Sequence, residues 1–190
     1  MARRWPSHLV IDDSVYQSSD LEFARGHVMS PPFRSKHHQG ALWQGLQGGN
    51  LHTTATDHCT FCAEQKAAKQ GRLHQNPERL RRGGRPDVGG VGCGRQFGVE
   101  LTPSEFVRVT STNAAQIFNM YPRKGLVVVG ADADIVVWDP EGTRTISAKT
   151  QFAKGGFNVF EGRTVKGIPS YTLSNGERGL RAVSCARWKA

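Results

Sequence analysis

The sequence predicts an α/β chain in which a helix and a buried strand come first, a pair of helices follows, and a small antiparallel β module comes last. Apolar side chains recur at helical spacing within residues 37–47. A Thr-x-x-Glu capping box begins at Thr102, and short β-branched runs separated by turn residues fill residues 125–176. At 190 residues the chain is long enough to bury a core.

The first predicted elements are a turn, a helix and a strand. Two prolines in the run Ser-Pro-Pro-Phe-Arg at 30–34 exclude a helix there and predict an extended turn. Residues 37–47 follow as a helix of about three turns, which a Gly-Gly-Asn stop ends. The side chains at helical spacing are Ala41, Leu42, Gly45 and Leu46. Residues 51–57 then have the composition of a buried strand with Asp57 at its C-terminal end.

The later elements begin at the capping box. Thr102 caps a helix, Pro103 suits its first position, and Glu105 completes the box. A second helical stretch ends before Pro122, so helix is predicted over 102–121. Strands are predicted within the β module, which begins at about Gly125. They are residues 127–129, 135–138, 144–146, 164–166 and 171–173.

The net charge of +9 is concentrated in two stretches. Residues 71–98 hold six arginines and eight glycines without any sustained period, so we expect disorder there, and residues 177–190 are also basic. No apolar run approaches the roughly 18 residues of a membrane span, and the start lacks the apolar core of a secretion signal. The four cysteines are too scattered for a disulfide framework. A cytoplasmic protein with reduced thiols is expected.

Several phrases occur in the order typical of one family. They are Asp12-Asp13-Ser14-Val15-Tyr16, Met29-Ser30-Pro31-Pro32, Thr56-Asp57-His58-Cys59, Ser111-Thr112-Asn113-Ala114-Ala115, Tyr121-Pro122-Arg123-Lys124-Gly125 and Gly130-Ala131-Asp132-Ala133-Asp134. Together they resemble the bacterial D-hydantoinases and dihydropyrimidinases of the amidohydrolase superfamily. The resemblance covers residues 8–68 and 100–176.

The resemblance implies a (β/α)₈ barrel with a β-sandwich assembled from both chain ends. A whole barrel takes about 250 residues, so the expected fold is a C-terminal fragment of a TIM-like (β/α)₈ barrel plus part of a small β-sandwich. Residues 8–68 would supply the last barrel strands, two of them within 27–57 with a helix between. The other expected segments are a non-family stretch at 69–99, closing helices at 100–124, part of the sandwich at 125–176 and a non-family tail at 177–190.

The resemblance also implies a binuclear zinc centre that activates water to hydrolyse a cyclic amide. The family's ligands are a His-x-His pair, a carbamylated lysine, two more histidines and an aspartate that also shuttles protons. Only the aspartate is matched here, by Asp57. The seven histidines include no His-x-His pair. They are His8, His27, His37, His38, His52, His58 and His74. The 190-residue chain alone is therefore expected to bind zinc poorly and to be inactive.

Ser30 matches the family serine that contacts the substrate. The prolines after it keep the backbone extended, which leaves the Ser30 carbonyl free to accept the imide N–H of a hydantoin or dihydropyrimidine ring. An ordinary loop serine is the alternative. The family's second substrate-contacting turn, Pro-Asn-Gly, is not found within 69–90. The family further implies a homo-oligomer, a tetramer, with no nucleic-acid or membrane partner.

The departure of residues 69–98 from the family pattern has a simple candidate cause. GC-rich coding DNA that is translated out of frame yields Arg, Gly and Pro in excess, which is the composition found there. We interpret this stretch, and a second one after Gly176, as frameshifted. Resequencing the gene tests this hypothesis, because an intact frame in independent isolates would exclude it.

A rival interpretation is a basic nucleic-acid-binding module without enzymatic activity. Cys59-x-x-Cys62 beside His58 could be half of a zinc site, and the Arg/Gly-rich stretch could bind RNA through charge. A structural zinc site needs four ligands, however, and Cys93 and Cys185 stand alone. Two cysteines in a barrel loop are the simpler interpretation, and salt-sensitive retention on an RNA column separates the two.

Overall fold

A computed structural model describes residues 3–4, 6–55, 101–150 and 156–181 of the chain. Its first half is mainly helical. Short 3₁₀ helices occupy Pro6–Leu9 and Asp13–Gln17, helix α1 spans Leu21–Gly26, and helix α2 spans His38–Gln47. Asp12 accepts a hydrogen bond from the Ser14 N–H at 3.0 Å and so caps the second 3₁₀ helix.

Helix α2 confirms the predicted helix, and two of the four residues at helical spacing, Gly45 and Leu46, are buried. Gln39 and Trp43 are buried as well, whereas Leu42 is half-buried and Ala41 is exposed. Trp43 is the largest fully buried side chain, and its indole N–H donates to the Leu9 carbonyl at 3.1 Å. The contact with the Pro6–Leu9 segment therefore selects the buried face. The helix ends at Gln47 with Gly48 as its C-cap, and Gly49 follows with a φ of +81°, a conformation that glycine adopts without strain.

Two short parallel strands represent the barrel part. Strand β1 (Arg3–Arg4) pairs with strand β2 (Thr53–Thr54). The prediction of a strand early in residues 27–57 was wrong, since described residues 27–36 form none. Pro31 and Pro32 have no N–H to donate to a strand ladder, so residues 31–32 are unsuited to a strand. Of the strand predicted over 51–57, the described part forms β2 only.

The capping box is confirmed. The Glu105 carboxylate accepts from the Thr102 N–H at 2.8 Å, and the Glu105 N–H donates to the Thr102 hydroxyl at 3.3 Å. Helix α3 (Pro103–Val107) continues through a π-helical turn at Arg108–Thr112 into helix α4 (Asn113–Ile117). The helical region predicted over 102–121 is therefore observed as one continuous helix over 103–117, the long helix.

The last part is a three-stranded antiparallel sheet in the order β3-β4-β5. Strand β3 (Ile135–Thr145) pairs with β4 (Thr164–Ser174), and β4 pairs with β5 (Glu177–Arg181). Predicted strands at 135–138 and 144–146 merge into β3, and those at 164–166 and 171–173 merge into β4. Strand β5 begins at the first residue of the predicted non-family tail, 177–190.

The strand predicted at 127–129 was wrong. These three valines lie in a loop between Gly125 and Gly130, whose φ values of +82° and +95° turn the chain at both ends. Val127 is 80% exposed, and Val129 is fully exposed. A β-branched run forms a strand only where a neighbouring strand pairs with it, and among the described residues none does.

One hydrophobic core joins the described segments. It combines side chains from the amino-terminal segment, α2, the long helix and the region around β4. Its buried members include Leu9, Phe33, Trp43, Leu46, Val109 and Val165. The Arg163 guanidinium donates to the Val10 carbonyl at 3.0 Å, which ties the sheet region to the first segment across most of the sequence.

Within the described residues, no helix is long and apolar enough to span a membrane. Asp57, the Cys59–Cys62 pair and the stretch 69–99, for which disorder was expected, lie outside the described residues.

Candidate functional site

Ser30 lies on an exposed turn between two buried anchors. Ser30 and the two prolines after it are exposed, whereas Met29 and Phe33 are buried. The peptide bond between Ser30 and Pro31 is cis. Because apolar side chains on both sides enter the core, the polar residue between them is presented at the surface.

The Tyr16 hydroxyl joins the two flanks of this turn. It donates to the His27 carbonyl at 3.4 Å and accepts from the Phe33 N–H at 3.1 Å. Burial raises the pKa of Tyr16 above its ordinary value, and the negative charge of Asp13 adds to this rise, while the bond from Phe33 and the charge of Arg34 oppose it. The hydroxyl therefore keeps its proton, and with it its donor role, at neutral pH.

The segment that holds Tyr16 is itself anchored. The Ser35 hydroxyl donates to the Asp13 carboxylate at 3.1 Å, which ties the residues after the turn to the 3₁₀ helix of Tyr16. The Tyr16 and Phe33 rings also pack together, with centroids 6.1 Å apart. The turn and its support therefore form a closed unit of polar and aromatic contacts.

His27 fixes the other end of the unit. Its ring is buried, and Nδ1 lies 2.8 Å from the Phe23 carbonyl. Because a carbonyl only accepts, Nδ1 carries the proton in this contact. The ring meets Phe157 edge-on at 5.6 Å. Next to it, a Cβ on Gly26 would lie 2.4 Å from the Phe157 ring, so this close approach requires glycine.

The strand that precedes Asp57 is held by the long helix. The Arg108 guanidinium donates to the Gln47 carbonyl at 2.9 Å and to the Leu46 carbonyl at 3.3 Å, at the C-terminal end of α2. The Asn113 amide donates to the His52 carbonyl at 2.7 Å, directly before β2. Both side chains thus bind backbone carbonyls of the connection between α2 and β2.

The π-helical turn explains how two residues five positions apart reach the same connection. In an α-helix such residues point about 140° apart. Here the Asn113 N–H donates to the Arg108 carbonyl, so one widened turn closes between them and brings them to a similar side. π-helical turns are rare and frequent at functional sites.

The Gly130–Asp134 phrase forms a surface joint. The Lys124 ammonium contacts the carboxylates of Asp132, at 3.0 Å, and Asp134. Asp134 also accepts from the Asn175 N–H at 2.9 Å, which links the loop to the end of β4. Hydrogen bonds to the two carboxylates raise the pKa of Lys124, and the bond from Lys124 lowers the pKa of Asp134. This family phrase therefore has a structural use.

The described residues do not fit a metal centre by themselves. Among residues 3–4, 6–55, 101–150 and 156–181, no three His, Cys, Asp or Glu side chains come together as possible ligands. His8 and His27 are buried among aromatic rings, and His37, His38 and His52 are exposed. No catalytic step through a metal is derived from these residues.

The sequence predicts Ser30 as a substrate contact, which stays a prediction, but it predicts no role for the residues that hold the turn. Asp57 lies outside the described residues, so no distance joins it to Ser30. Tyr16 and Asn113 stood inside the family phrases, yet no role was predicted for either. The sequence offers one indication of such a role: each is a polar residue in a family phrase that contains no expected metal ligand.

Three comparisons relate this chain to known proteins. The model of the amidohydrolase family matches residues 9–178. Dihydropyrimidinase of Rattus norvegicus is 43% identical over 172 residues, which is 87% of this chain and 32% of that protein. D-hydantoinase of Geobacillus stearothermophilus is 38% identical over 186 residues, which is 93% of this chain and 37% of that protein.

Solved structures agree with these matches. The crystal structure of dihydropyrimidinase from Brevibacillus agri superposes with a TM-score of 0.89 at 33% identity, covering 97% of this chain and 40% of that one. The chain thus spans about a third of the length of the curated relatives it matches. The predicted fold class, part of a TIM-like (β/α)₈ barrel with part of a β-sandwich, is confirmed.

Proposed function

This chain belongs to the amidohydrolase family, in its dihydropyrimidinase and D-hydantoinase branch, and from that premise we propose that it forms part of a hydrolase that opens cyclic amides. The substrates would be hydantoins and 5,6-dihydropyrimidines. The observation that carries this proposal is the family match over residues 9–178, which includes the supported Ser30 turn. Family membership implies a metal cofactor, and we propose two zinc ions.

Ring opening adds the hydroxide of water to the ring carbonyl carbon, breaks the C–N bond and delivers a proton to the departing nitrogen. The backbone carbonyl of Ser30 would accept a hydrogen bond from the ring N–H. This bond would orient the carbonyl of the substrate ring for attack. Asp57 would bind metal and move the proton between water and nitrogen. An exposed turn with buried flanks suits the first role, because the substrate can reach the carbonyl while the backbone stays fixed.

We propose that the 190-residue polypeptide alone lacks this activity. Its seven histidines include no His-x-His pair, and catalytic zinc generally has three protein ligands per metal. The test incubates purified chain with excess zinc or manganese and with dihydrouracil or a 5-substituted hydantoin. We expect no ring opening above a metal-only control, and metal-dependent turnover would contradict the proposal.

The role of Asp57 has a separate test. Residues 8–68 are grafted into an intact dihydropyrimidinase in place of its matching segment, and the graft is expected to retain ring-opening activity. Asp57→Asn should abolish it, because an amide neither neutralises a metal cation nor accepts the proton. Full activity of the Asn variant would exclude the role.

The assembled enzyme would be a cytoplasmic homo-tetramer, as the family implies, and size-exclusion chromatography with light scattering of the graft tests the tetramer. Family membership favours this hydrolase over the nucleic-acid-binding alternative. The Arg/Gly-rich stretch on which that alternative depends lies outside the described residues.

A further inference from the structure

We infer that Tyr16 is a positioning residue for the substrate, because its hydroxyl holds both flanks of the Ser30 turn and so fixes the direction of the Ser30 carbonyl. This inference rests on the proposed function of Ser30 as a substrate contact. The two backbone groups that Tyr16 binds belong to His27 and Phe33. They stand three residues before and three residues after Ser30.

A tyrosine hydroxyl suits this task because it is both donor and acceptor. Its proton goes to the His27 carbonyl, and its oxygen receives the Phe33 N–H. One atom therefore bridges the two ends of the turn. Phenylalanine would fill the same space but would leave the buried Phe33 N–H without this partner.

Residues 29–34 themselves make few hydrogen bonds within the described part of the chain. Pro31 and Pro32 lack an N–H. In the part of the chain that the structure describes, the Phe33 N–H is the one backbone group of residues 29–34 that makes a hydrogen bond. Burial of Met29 and Phe33 holds the turn against the core, but apolar packing has no direction and does not orient a carbonyl. The Tyr16 hydroxyl supplies that direction.

Tyr16 is fixed well enough to do this. Its 3₁₀ helix is capped by Asp12, and the next residue, Asp13, is bound by Ser35 on the far side of the turn. The turn is thus connected to the same short helix at three points, which are His27, Phe33 and Ser35.

The first arm of the test uses the 190-residue chain and amide hydrogen exchange. Tyr16→Phe should accelerate exchange of the Phe33 amide by about tenfold, the loss of one hydrogen bond of roughly 1.4 kcal/mol. Tyr121→Phe is the matched control, because Tyr121 is exposed and its hydroxyl makes no hydrogen bond in the described residues. Unchanged Phe33 exchange in Tyr16→Phe would overturn the inference.

The second arm uses the graft of residues 8–68 and separates positioning from stability. At a temperature where all variants are folded, Tyr16→Phe should raise KM for dihydrouracil about three- to tenfold, with kcat within about twofold. Ser19→Ala, which removes an exposed hydroxyl from the same segment, should change neither. A lowered unfolding temperature with unchanged KM would mean a structural role only and would overturn the inference.

The two proposals fail in different ways. Activity that survives Asp57→Asn contradicts the proposed function of Asp57 and leaves the KM comparison intact. A graft with no activity at all contradicts the proposed function, and the substrate role of Tyr16 is then excluded with it. Exchange of the Phe33 amide in the 190-residue chain still decides whether the Tyr16 hydroxyl holds the turn.

Discussion

The amino-terminal body, residues 6–55, and the sheet β3–β5 are held together by different kinds of contact. In the body, buried or partly buried polar side chains donate to backbone groups that are distant in the sequence. The Trp43 indole, for example, donates to the Leu9 carbonyl. In the sheet region, most side-chain hydrogen bonds and ion pairs lie at the surface, such as Ser147 with Glu161 at 2.7 Å and Lys166 with Glu141 at 2.6 Å. Buried contacts fix a geometry, whereas exposed ion pairs contribute little. This contrast places the proposed substrate contact in the better-fixed region.

Trp43→Ala should show the contrast most clearly. The indole is almost completely buried and donates to Leu9, so its removal leaves a cavity and a carbonyl without its partner. We expect a loss of about 3–5 kcal/mol in the free energy of unfolding, measured by urea denaturation. Trp138→Ala is the matched control in the sheet, since Trp138 is only partly buried. Equal losses in both variants would contradict the contrast.

Gly26→Ala and Gly40→Ala test how tightly the body is packed. A Cβ at Gly26 would lie 2.4 Å from the Phe157 ring, and one at Gly40 would meet nothing within 4 Å. We expect Gly26→Ala to destabilise the chain by about 1–3 kcal/mol. Gly40→Ala, within helix α2, should stabilise it by about 0.5–1 kcal/mol. Thermal unfolding followed by circular dichroism measures both, and a harmless Gly26→Ala would show that Phe157 is free to move away.

Asn113→Asp tests the tie between the long helix and β2. The carboxylate has the shape of the amide but cannot donate to the His52 carbonyl. We expect a loss of about 1 kcal/mol in the free energy of unfolding. Gln116→Asp adds the same charge at an exposed position of α4 and should cost less. Similar losses in the two variants would assign the effect to charge, and the Asn113 bond would then contribute nothing.

The features that sequence could predict are the local ones. The capping box at Thr102 involves residues three apart, so composition and spacing determine it. The Ser30 turn is likewise fixed by its own prolines. The support of that turn could not be predicted, because the partners of Tyr16 lie 11 and 17 residues away and only the packed fold brings them together. The burial of Trp43 on α2 could not be predicted for the same reason, because its partner Leu9 lies 34 residues away.

The Lys124–Asp134 joint should have the smallest effect and the clearest pH dependence. Because the pKa of Asp134 is lowered in the folded chain, the stability that this group adds is present above its ordinary pKa and is lost as pH falls through the lowered value. The pKa of Lys124 is raised, so its share is present below its ordinary pKa and is lost as pH rises through the raised value. Asp134→Asn keeps an oxygen for the Asn175 N–H but removes both the charge and the acceptor that Lys124 contacts. The urea midpoints of the parent and of this variant should therefore differ most near neutral pH, converge on acidification and on strong alkalinisation, and converge also in about 1 M salt. A difference that persists unchanged in acid and in salt would mean that the joint acts through packing, and the sheet region would then resemble the body more closely than its exposed ion pairs indicate.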